Sequence, residues 1–188
     1  MFAPQSLAFV GGRPAEIAIE QCLALGFEGD LWPVHPTRTE VCGLPAFSSV
    51  DELPGAPDAA LVAVNRHATV DVVASLAAMG AGAAVCYASG FAEVGGEGIA
   101  LQRDLVAAAG DMPVVGPNCY GTITATVGAA LWPDQQGLSR TGRGIALVTL
   151  IGSSVFLRPR VLELLPEVPF LLITKGSAIC LTLALGAF

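Results

Sequence analysis

The chain has 188 residues, of which 53% are hydrophobic and 13% are charged, and its formal net charge is −7. Such a composition is typical of a protein with a large buried core and excludes a disordered chain. The negative charge argues against nucleic acid and anionic membranes as partners. The apolar segments between Arg143 and Arg158 and after Lys175 are shorter than the roughly 20 residues that span a bilayer.

Short apolar runs alternate with longer helical patterns over the first 115 residues. Apolar runs at five places predict buried strands, at residues 6–10, 31–34, 59–64, 83–87 and 113–115. Three stretches between them predict helices, at residues 14–25, 68–79 and 97–109, with Gly26, Gly80 and Gly110 at their ends. Strands that are apolar throughout are buried on both faces, which indicates a parallel sheet. The pattern predicts a Rossmann-like, doubly wound α/β fold.

Residues 122–143 interrupt this alternation with Gly128, Pro133 and Gly137 and with a polar run at 134–136. We therefore expect a first domain at 1–125 and a connection at 126–143. Residues 144–188 then predict strands at 144–149 and 170–174 and helices at 155–165 and 177–185. This segment is too short for a complete α/β domain of usual size, so it is either a partial second domain or a completion of the first sheet.

Ligands of open parallel sheets bind outside the carboxyl ends of the strands, so the loops after the strands are the candidate site. These loops are residues 11–14 (GGRP), 35–40 (HPTRTE), 65–67 (NRH), 88–91 (ASGF) and 116–121 (GPNCYG). The first loop opens a helix, whose N–H groups and dipole favour a phosphate. Gly11 and Gly12 allow close approach and Arg13 adds positive charge. The alternative is a plain glycine turn, because the loop is neither GxGxxG nor a P-loop.

The loop after the second strand separates two classes of ligand. NAD-dependent dehydrogenases usually have an acidic residue there, which binds the ribose hydroxyls. Here the segment contains His35, Thr37 and Arg38, and the first acid is Glu40. A basic segment favours an additional phosphate on the ribose, which both NADP and coenzyme A carry. A solvated turn with an incidental arginine is the alternative.

The loop at 116–121 is the most unusual in composition, with two glycines, a proline and an asparagine in six residues. Such a loop is stiff and turns sharply. Cys119 lies in it without a histidine or carboxylate nearby in sequence, which favours a small side chain in a tight turn over a nucleophile. His67 begins a predicted helix, which favours a solvated or capping group over a ligand contact. The five cysteines form no CxxC pair and no zinc-finger spacing, so we expect a reduced, cytoplasmic protein.

Four features together resemble one known family. They are the glycine turn after the first strand, residues 26–29 (GFEG) leading into 31–36 (LWPVHP), residues 43–47 (GLPAF) before 49–53, and residues 116–121 (GPNCYG). The combination resembles the CoA-binding domain that ADP-forming acyl-CoA synthetases share with the alpha subunit of succinyl-CoA synthetase. The similarity resumes at 142–149 (GRGIALVT), which looks like the first strand of the family's second domain. The resemblance therefore implies the start of a flavodoxin-like α/β domain after residue 143.

The resemblance implies coenzyme A as the cofactor and assigns site residues to its parts. Gly11, Gly12 and Arg13 would hold its phosphates, and His35, Thr37 and Arg38 would lie near the adenosine and its 3′-phosphate. The pantetheine path would be lined by Tyr87, Ala88, Ser89, Gly90 and Phe91. Asn118 and Cys119 would lie near the thiol. The first loop departs from the family form, since it is shorter and lacks the usual serine and lysine.

The resemblance also implies a place in a larger reaction. In the family, ATP phosphorylates a histidine, the phosphate passes to the acid, and CoA attacks the acyl phosphate. This chain would bind and orient CoA. ATP and Mg²⁺ would act only through an ATP-grasp domain or subunit, and oligomerisation is expected. Because His35 and His67 do not match the phosphohistidine motif, the resemblance implies no catalytic residue here, and the chain alone is expected to be inactive.

Two other functions remain open at the level of sequence. One is the NAD(P)-binding domain of an oxidoreductase, which shares the fold and the same way of binding phosphate. The other is a non-catalytic CoA-binding or redox-sensing protein, in which Cys119 forms a mixed disulfide with a thiol.

Overall fold

The computed structural model describes residues 3–142 and, beyond them, the backbone of three strands at 146–152, 173–175 and 179–185. The chain divides into two compact units, Met1–Arg140 and Thr141–Phe188. The strands of the first unit are β1 (Ser6–Gly11), β2 (Asp30–Val34), β3 (Glu40–Val41), β4 (Leu44–Pro45), β5 (Ala59–Ala63), β6 (Ala84–Cys86), β7 (Val114–Val115), β8 (Thr122–Thr124) and β9 (Ala129–Leu131). Its helices are α1 (Arg13–Ala24), α2 (Arg66–Met79) and α3 (Glu97–Ala109).

Five of these strands form a parallel sheet in the order β2-β1-β5-β6-β7. These are the five strands predicted from the apolar runs, and the Rossmann-like doubly wound fold is confirmed. The chain runs outward from β1 in one direction to β2 and in the other to β5, β6 and β7. The switch point of the sheet therefore lies between the carboxyl ends of β1 and β5, where ligands of such folds bind.

The buried side chains of the strands alternate between two cores, because successive residues of a strand point to opposite faces. On one face, Leu7 and Phe9 of β1 join a cluster with Ile19 of α1. On the other face, Ala8 and Val10 join a cluster that contains Val73, Leu76 and Leu105 of α2 and α3. The two layers of buried apolar groups hold the carboxyl edge of the sheet as a fixed platform.

A hairpin of β8 and β9 covers the α1 face of the sheet. The Cys22 thiol of α1 donates to the carbonyl oxygen of Ala130 at 3.4 Å, and the Ala130 N–H donates back to Sγ at 3.2 Å. Burial raises the pKa of the Cys22 thiol to about 12, so it stays protonated. Strand β9 lies within the connection predicted at 126–143, whereas the first unit extends to Arg140.

The second unit contains β10 (Ala146–Gly152), β11 (Ile173–Lys175) and β12 (Ile179–Leu185), in the order β10-β12-β11. The strands predicted at 144–149 and 170–174 correspond to β10 and β11. The helix predicted at 177–185 is wrong, because β12 occupies it; a short, wholly apolar run fits a strand as well as a buried helix. The described strands pair antiparallel, unlike the parallel pairing of a flavodoxin-like domain. The helix predicted at 155–165 lies outside the described residues.

In the described part of the chain, no helix combines the length and the apolar character needed to cross a bilayer.

Candidate functional site

A cavity of about 490 Å³ lies at the carboxyl edge of the parallel sheet, at its switch point. Its lining comes from the segments that follow four neighbouring strands, and every lining residue lies within five residues of the end of its strand. The lining residues are Pro14 after β1, Ala63, Val64, Asn65 and Arg66 after β5, Tyr87, Ala88 and Ser89 after β6, and Asn118, Cys119 and Tyr120 after β7. Five of the residues predicted for the site are among them.

The turn from β1 to α1 depends on its two glycines in different ways. Gly11 has a φ of +139°, and a Cβ at this position would lie 2.4 Å from the carbonyl oxygen of Ala63. Gly12 is the N-cap of α1, no side chain caps the helix there, and a Cβ would meet nothing within 4 Å. The first turn of α1 therefore has backbone N–H groups without a side-chain acceptor, which suits an anion.

Arg13 and Arg38 converge on one carboxylate, that of Glu16. Arg13 donates to Glu16 at 3.2 Å and to Glu20 at 2.8 Å, and Arg38 donates to the other oxygen of Glu16. The hydrogen bond from Arg13 is the largest cause of the lowered pKa of Glu16, and bonds to Glu20 and Glu16 raise the pKa of Arg13. The loops after β1 and β2 are thereby joined, but neither arginine lines the cavity.

His35 and Thr37 lie at the end of β2, away from the cavity lining. The backbone N–H of His35 donates to the carbonyl oxygen of Phe47 at 2.9 Å, and its Nδ1 accepts from the N–H of Thr37 at 3.3 Å. The imidazole is half-buried and Thr37 is exposed. The structure thus brings His35, Thr37 and Arg38 together at one corner of the sheet edge.

Arg66 is the cation that lines the cavity, and it was not among the predicted site residues. Its guanidinium donates to the carbonyl oxygen of Gly90 at 2.9 Å and to Glu97 at 3.1 Å, and 31% of its side chain is exposed. Asn65 caps α2 by accepting from the N–H groups of His67 and Ala68 at 3.1 and 3.0 Å. The signal for Arg66 in the sequence was its position directly after the central strand β5, where ligands of such sheets bind.

The loop after β6 contributes Tyr87, Ala88 and Ser89 to the lining. Gly90 packs against Arg66, where a Cβ would lie 3.0 Å from the arginine Cδ. The Phe91 side chain is fully buried in the core and does not line the cavity. Burial acts to raise the pKa of Glu93, but hydrogen bonds from backbone N–H groups, with Gly90 first, outweigh it and lower that pKa.

The GPNCYG loop is hydrogen-bonded to the end of β6. The N–H of Asn118 donates to the carbonyl oxygen of Ala88 at 2.8 Å, and that of Cys119 donates to the carbonyl oxygen of Cys86 at 3.3 Å. Asn118 has a φ of +56°, and the peptide bond between Gly116 and Pro117 is cis. The exposed Asn118 and the half-buried Cys119 thereby reach the cavity. Beneath them, burial raises the pKa of Cys86 to about 12.

Aromatic rings form one end of the cavity. The ring of Tyr120 is perpendicular to that of Tyr87, with centroids 5.8 Å apart, and lies 5.2 Å from the ring of Trp132. Burial is the main cause that raises the pKa of Tyr87, and the neighbouring Tyr120 adds to it. Tyr120 and Trp132 were not predicted as site residues, because Tyr120 follows β7 and Trp132 follows β9, and only the fold brings their rings together.

Comparison with known proteins assigns this arrangement to a class. A family model described as a CoA binding domain matches residues 5–125. The chain is 38% identical over 128 residues to trans-feruloyl-CoA synthase from an unidentified prokaryote, covering 64% of this chain and 18% of that protein. It is 30% identical over 132 residues to an ADP-forming acetate–CoA ligase of Archaeoglobus fulgidus, covering 68% of this chain and 19% of that ligase.

Solved structures give the same assignment. The apo form of the dinucleotide-forming acetyl-coenzyme A synthetase 1 of Ca. Korarchaeum cryptofilum matches with a TM-score of 0.62 and 30% identity, over 69% of this chain and 30% of that one. The chain therefore belongs to the family of CoA-binding domains. Within that family, it is homologous to ADP-forming acyl-CoA synthetases. Coenzyme A is accordingly the ligand that this assignment supports, and the dinucleotide oxidoreductase alternative is not favoured.

Proposed function

We propose that this chain holds coenzyme A across the carboxyl edge of its sheet, as the CoA-binding part of an ADP-forming acid–CoA ligase. The main support for this proposal is the order of chemical groups along the cavity. The open N-terminus of α1 follows β1 and Arg66 follows β5, whereas the ring of Tyr87 follows β6 and the thiol of Cys119 and the ring of Tyr120 follow β7. An elongated ligand with an anionic end and a thiol end fits this order.

The β1–β5 end supports the placement of the pyrophosphate. Backbone N–H groups at the start of α1 and the guanidinium of Arg66 are the donors that a phosphate prefers. The space beside Gly12 is open, because no atom lies within 4 Å of where a Cβ would be. A phosphate can therefore approach the N-terminus of α1 there, in space that a side chain would otherwise fill. Arg66 is held in place by Gly90 and Glu97 before any ligand arrives, which lowers the entropic cost of binding.

The 3′-phosphate is proposed to bind at the corner formed by Arg13, Arg38, His35 and Thr37. There the two arginines are matched by the carboxylates of Glu16 and Glu20, so the corner has little net charge. A phosphate would share the remaining N–H donors of the guanidinium groups. This corner would therefore contribute selectivity for the 3′-phosphate more than overall affinity.

The pantetheine arm is proposed to cross from β5 to β7. The floor from β1 to β7 includes three inter-strand spacings, or about 14 Å. Tyr87, Ala88 and Ser89 lie midway, and Asn118 and Cys119 lie at the far side. Bound coenzyme A supplies the thiol that takes up an acyl group. The residues of the loop after β7 would hold and orient that thiol at a fixed position.

The remaining parts of the reaction are proposed to reside elsewhere in the enzyme. The chain spans about a fifth of the two curated relatives described above, and another relative from Pyrococcus furiosus is named as the alpha subunit of an ADP-forming ligase. We propose that an ATP-grasp domain or subunit activates the acid, that the assembly is oligomeric, and that it works in the cytoplasm. In the first unit, the described cysteines Cys22, Cys42, Cys86 and Cys119 are free thiols, which agrees with a reducing compartment.

The test is calorimetric titration of the purified chain with coenzyme A, 3′-dephospho-CoA, NAD and NADP. We expect coenzyme A to bind and 3′-dephospho-CoA to bind several-fold more weakly, because only the former reaches the corner at Arg38. Binding of NAD or NADP without binding of coenzyme A would overturn the proposal.

A further inference from the structure

We propose that the aromatic end of the cavity, lined by Tyr87 and by Tyr120 with Trp132 packed against the Tyr120 ring, binds an aromatic ring in the acyl group of the thioester. This inference rests on the proposed function, since it needs coenzyme A to lie with its thiol near Cys119. It adds the chemical class of the acid that the ligase would use, and it assigns a specificity role to Tyr120.

The orientation of the ligand places the acyl group at these rings. The phosphate donors lie at the β1–β5 end, so the thiol of an extended ligand lies toward β7. Tyr120 follows Cys119 directly and lines the same cavity. A group attached to the thiol therefore meets Tyr120 before it leaves the chain.

The surface at this point is built for a ring. Tyr120 is 41% exposed, although it is a large aromatic residue beside a cavity. Its ring is fixed on two sides, by the perpendicular contact with Tyr87 and the tilted contact with Trp132. Offset and edge-to-face ring pairs attract each other more than their buried area alone explains. A third ring would extend this stack, whereas an acetyl group is too small to cover Tyr120.

The experiment compares two thioesters that differ only in aromaticity, benzoyl-CoA and cyclohexanecarbonyl-CoA, by calorimetry with the full chain. We expect benzoyl-CoA to bind about two- to tenfold more tightly, the range that a ring pair provides beyond buried area. In Tyr120→Leu, which keeps apolar bulk but removes the ring, the ratio should fall to about one, while Tyr120→Phe should keep it. Leu138→Ala is the matched control, because Leu138 is an exposed apolar residue outside the cavity lining.

The outcomes separate this inference from the function on which it rests. Failure of coenzyme A itself to bind would remove both. Binding of coenzyme A together with equal affinity for the two thioesters would overturn the aromatic site alone, as would a ratio that persists in Tyr120→Leu. The ratio of the two thioester affinities is first measured in the unmodified chain, so this result does not depend on whether a variant folds. Thermal unfolding midpoints then show which variants are folded well enough to be compared.

Discussion

Replacing Arg66 by glutamine should weaken the binding of coenzyme A by about 10- to 30-fold. Hydrogen bonds to charged groups contribute about 1.5–3 kcal/mol, and the side chain of Arg66 is 31% exposed, which favours the lower part of that range. A loss of about 1.5–2 kcal/mol corresponds to the stated change, since each 1.4 kcal/mol is about tenfold. The same loss is expected for 3′-dephospho-CoA, because Arg66 is proposed to contact the pyrophosphate, which both ligands carry.

The effect of this substitution on folding should be small. The hydrogen bond from the charged guanidinium to the carbonyl oxygen of Gly90 contributes about 1.5 kcal/mol, the lower end of the range for charged groups, because the side chain is partly exposed. The ion pair with Glu97 adds little, because 67% of that glutamate side chain is exposed. Calorimetric titration and denaturant unfolding of the same preparations separate the two effects. Arg103→Gln is the matched control, since its exposed guanidinium lies on α3 outside the cavity lining. Equal affinities of Arg66→Gln and Arg103→Gln would refute the reasoning.

Three further predictions concern the corner, the hairpin and acid stability. Arg38→Ala should bring the affinities for coenzyme A and 3′-dephospho-CoA within about twofold of each other by calorimetry, because the 3′-phosphate loses a charged donor. Cys22→Ala should lower the free energy of unfolding by about 1–3 kcal/mol in urea, since it leaves the buried N–H and carbonyl groups of Ala130 unpaired. The pKa of Glu16 is lowered in the folded state, so its contribution to stability is present above its unfolded pKa and is lost as the pH falls through the folded pKa. Glu16→Gln should therefore flatten the acid limb of stability below about pH 4.5 in thermal unfolding scans.

Each of these three has a distinct contrary result. If Arg38→Ala still prefers coenzyme A to 3′-dephospho-CoA as strongly as the unmodified chain does, the 3′-phosphate does not bind at that corner. Leu23→Ala, on the exposed side of α1, should cost little, and an equal cost for both α1 variants would show that the thiol bonds contribute nothing. An acid limb that is identical in Glu16→Gln and the unmodified chain would show that protonation of Glu16 contributes nothing to the loss of stability in acid.

The sequence predicted the parallel sheet because its strands are apolar on both faces and end at glycines or polar loops. It did not predict the β8–β9 hairpin, since three-residue strands such as Ala129–Leu131 are too short to show a period and gain stability only by packing on α1. The helix predicted at 177–185 was wrong for a related reason, because a uniformly apolar run such as Ile179–Leu185 shows neither the helical nor the strand period.

The candidate site was predictable as a set of loops but not as a set of contacts. Loops after neighbouring parallel strands meet at one edge, so Ser89 and Cys119 could be grouped without knowledge of the structure. Which cation faces the cavity depends on where its partners lie in the fold. Glu16 and Glu20 hold Arg13 outside the cavity lining, whereas the bonds of Arg66 to Gly90 and Glu97 leave it in the lining. The contact of Tyr120 with Trp132 likewise joins segments that only the hairpin brings together.

The hydrogen bonds between the GPNCYG loop and the end of β6 have a consequence for how the ligand is received. The backbone N–H groups of Asn118 and Cys119 donate to the carbonyl oxygens of Ala88 and Cys86, so hydrogen bonds connect the loop after β7 to the end of β6. The side chains of Arg13 and Arg38, by contrast, are exposed and are held only by ion pairs with glutamates, so they can adjust their position when they share donors with a phosphate, as proposed above. In the proposed complex, the thiol end of coenzyme A would therefore contact a loop fixed by backbone hydrogen bonds, and the nucleotide end would contact side chains that can move. The binding energy of the nucleotide part would then help to hold the thiol in a fixed position.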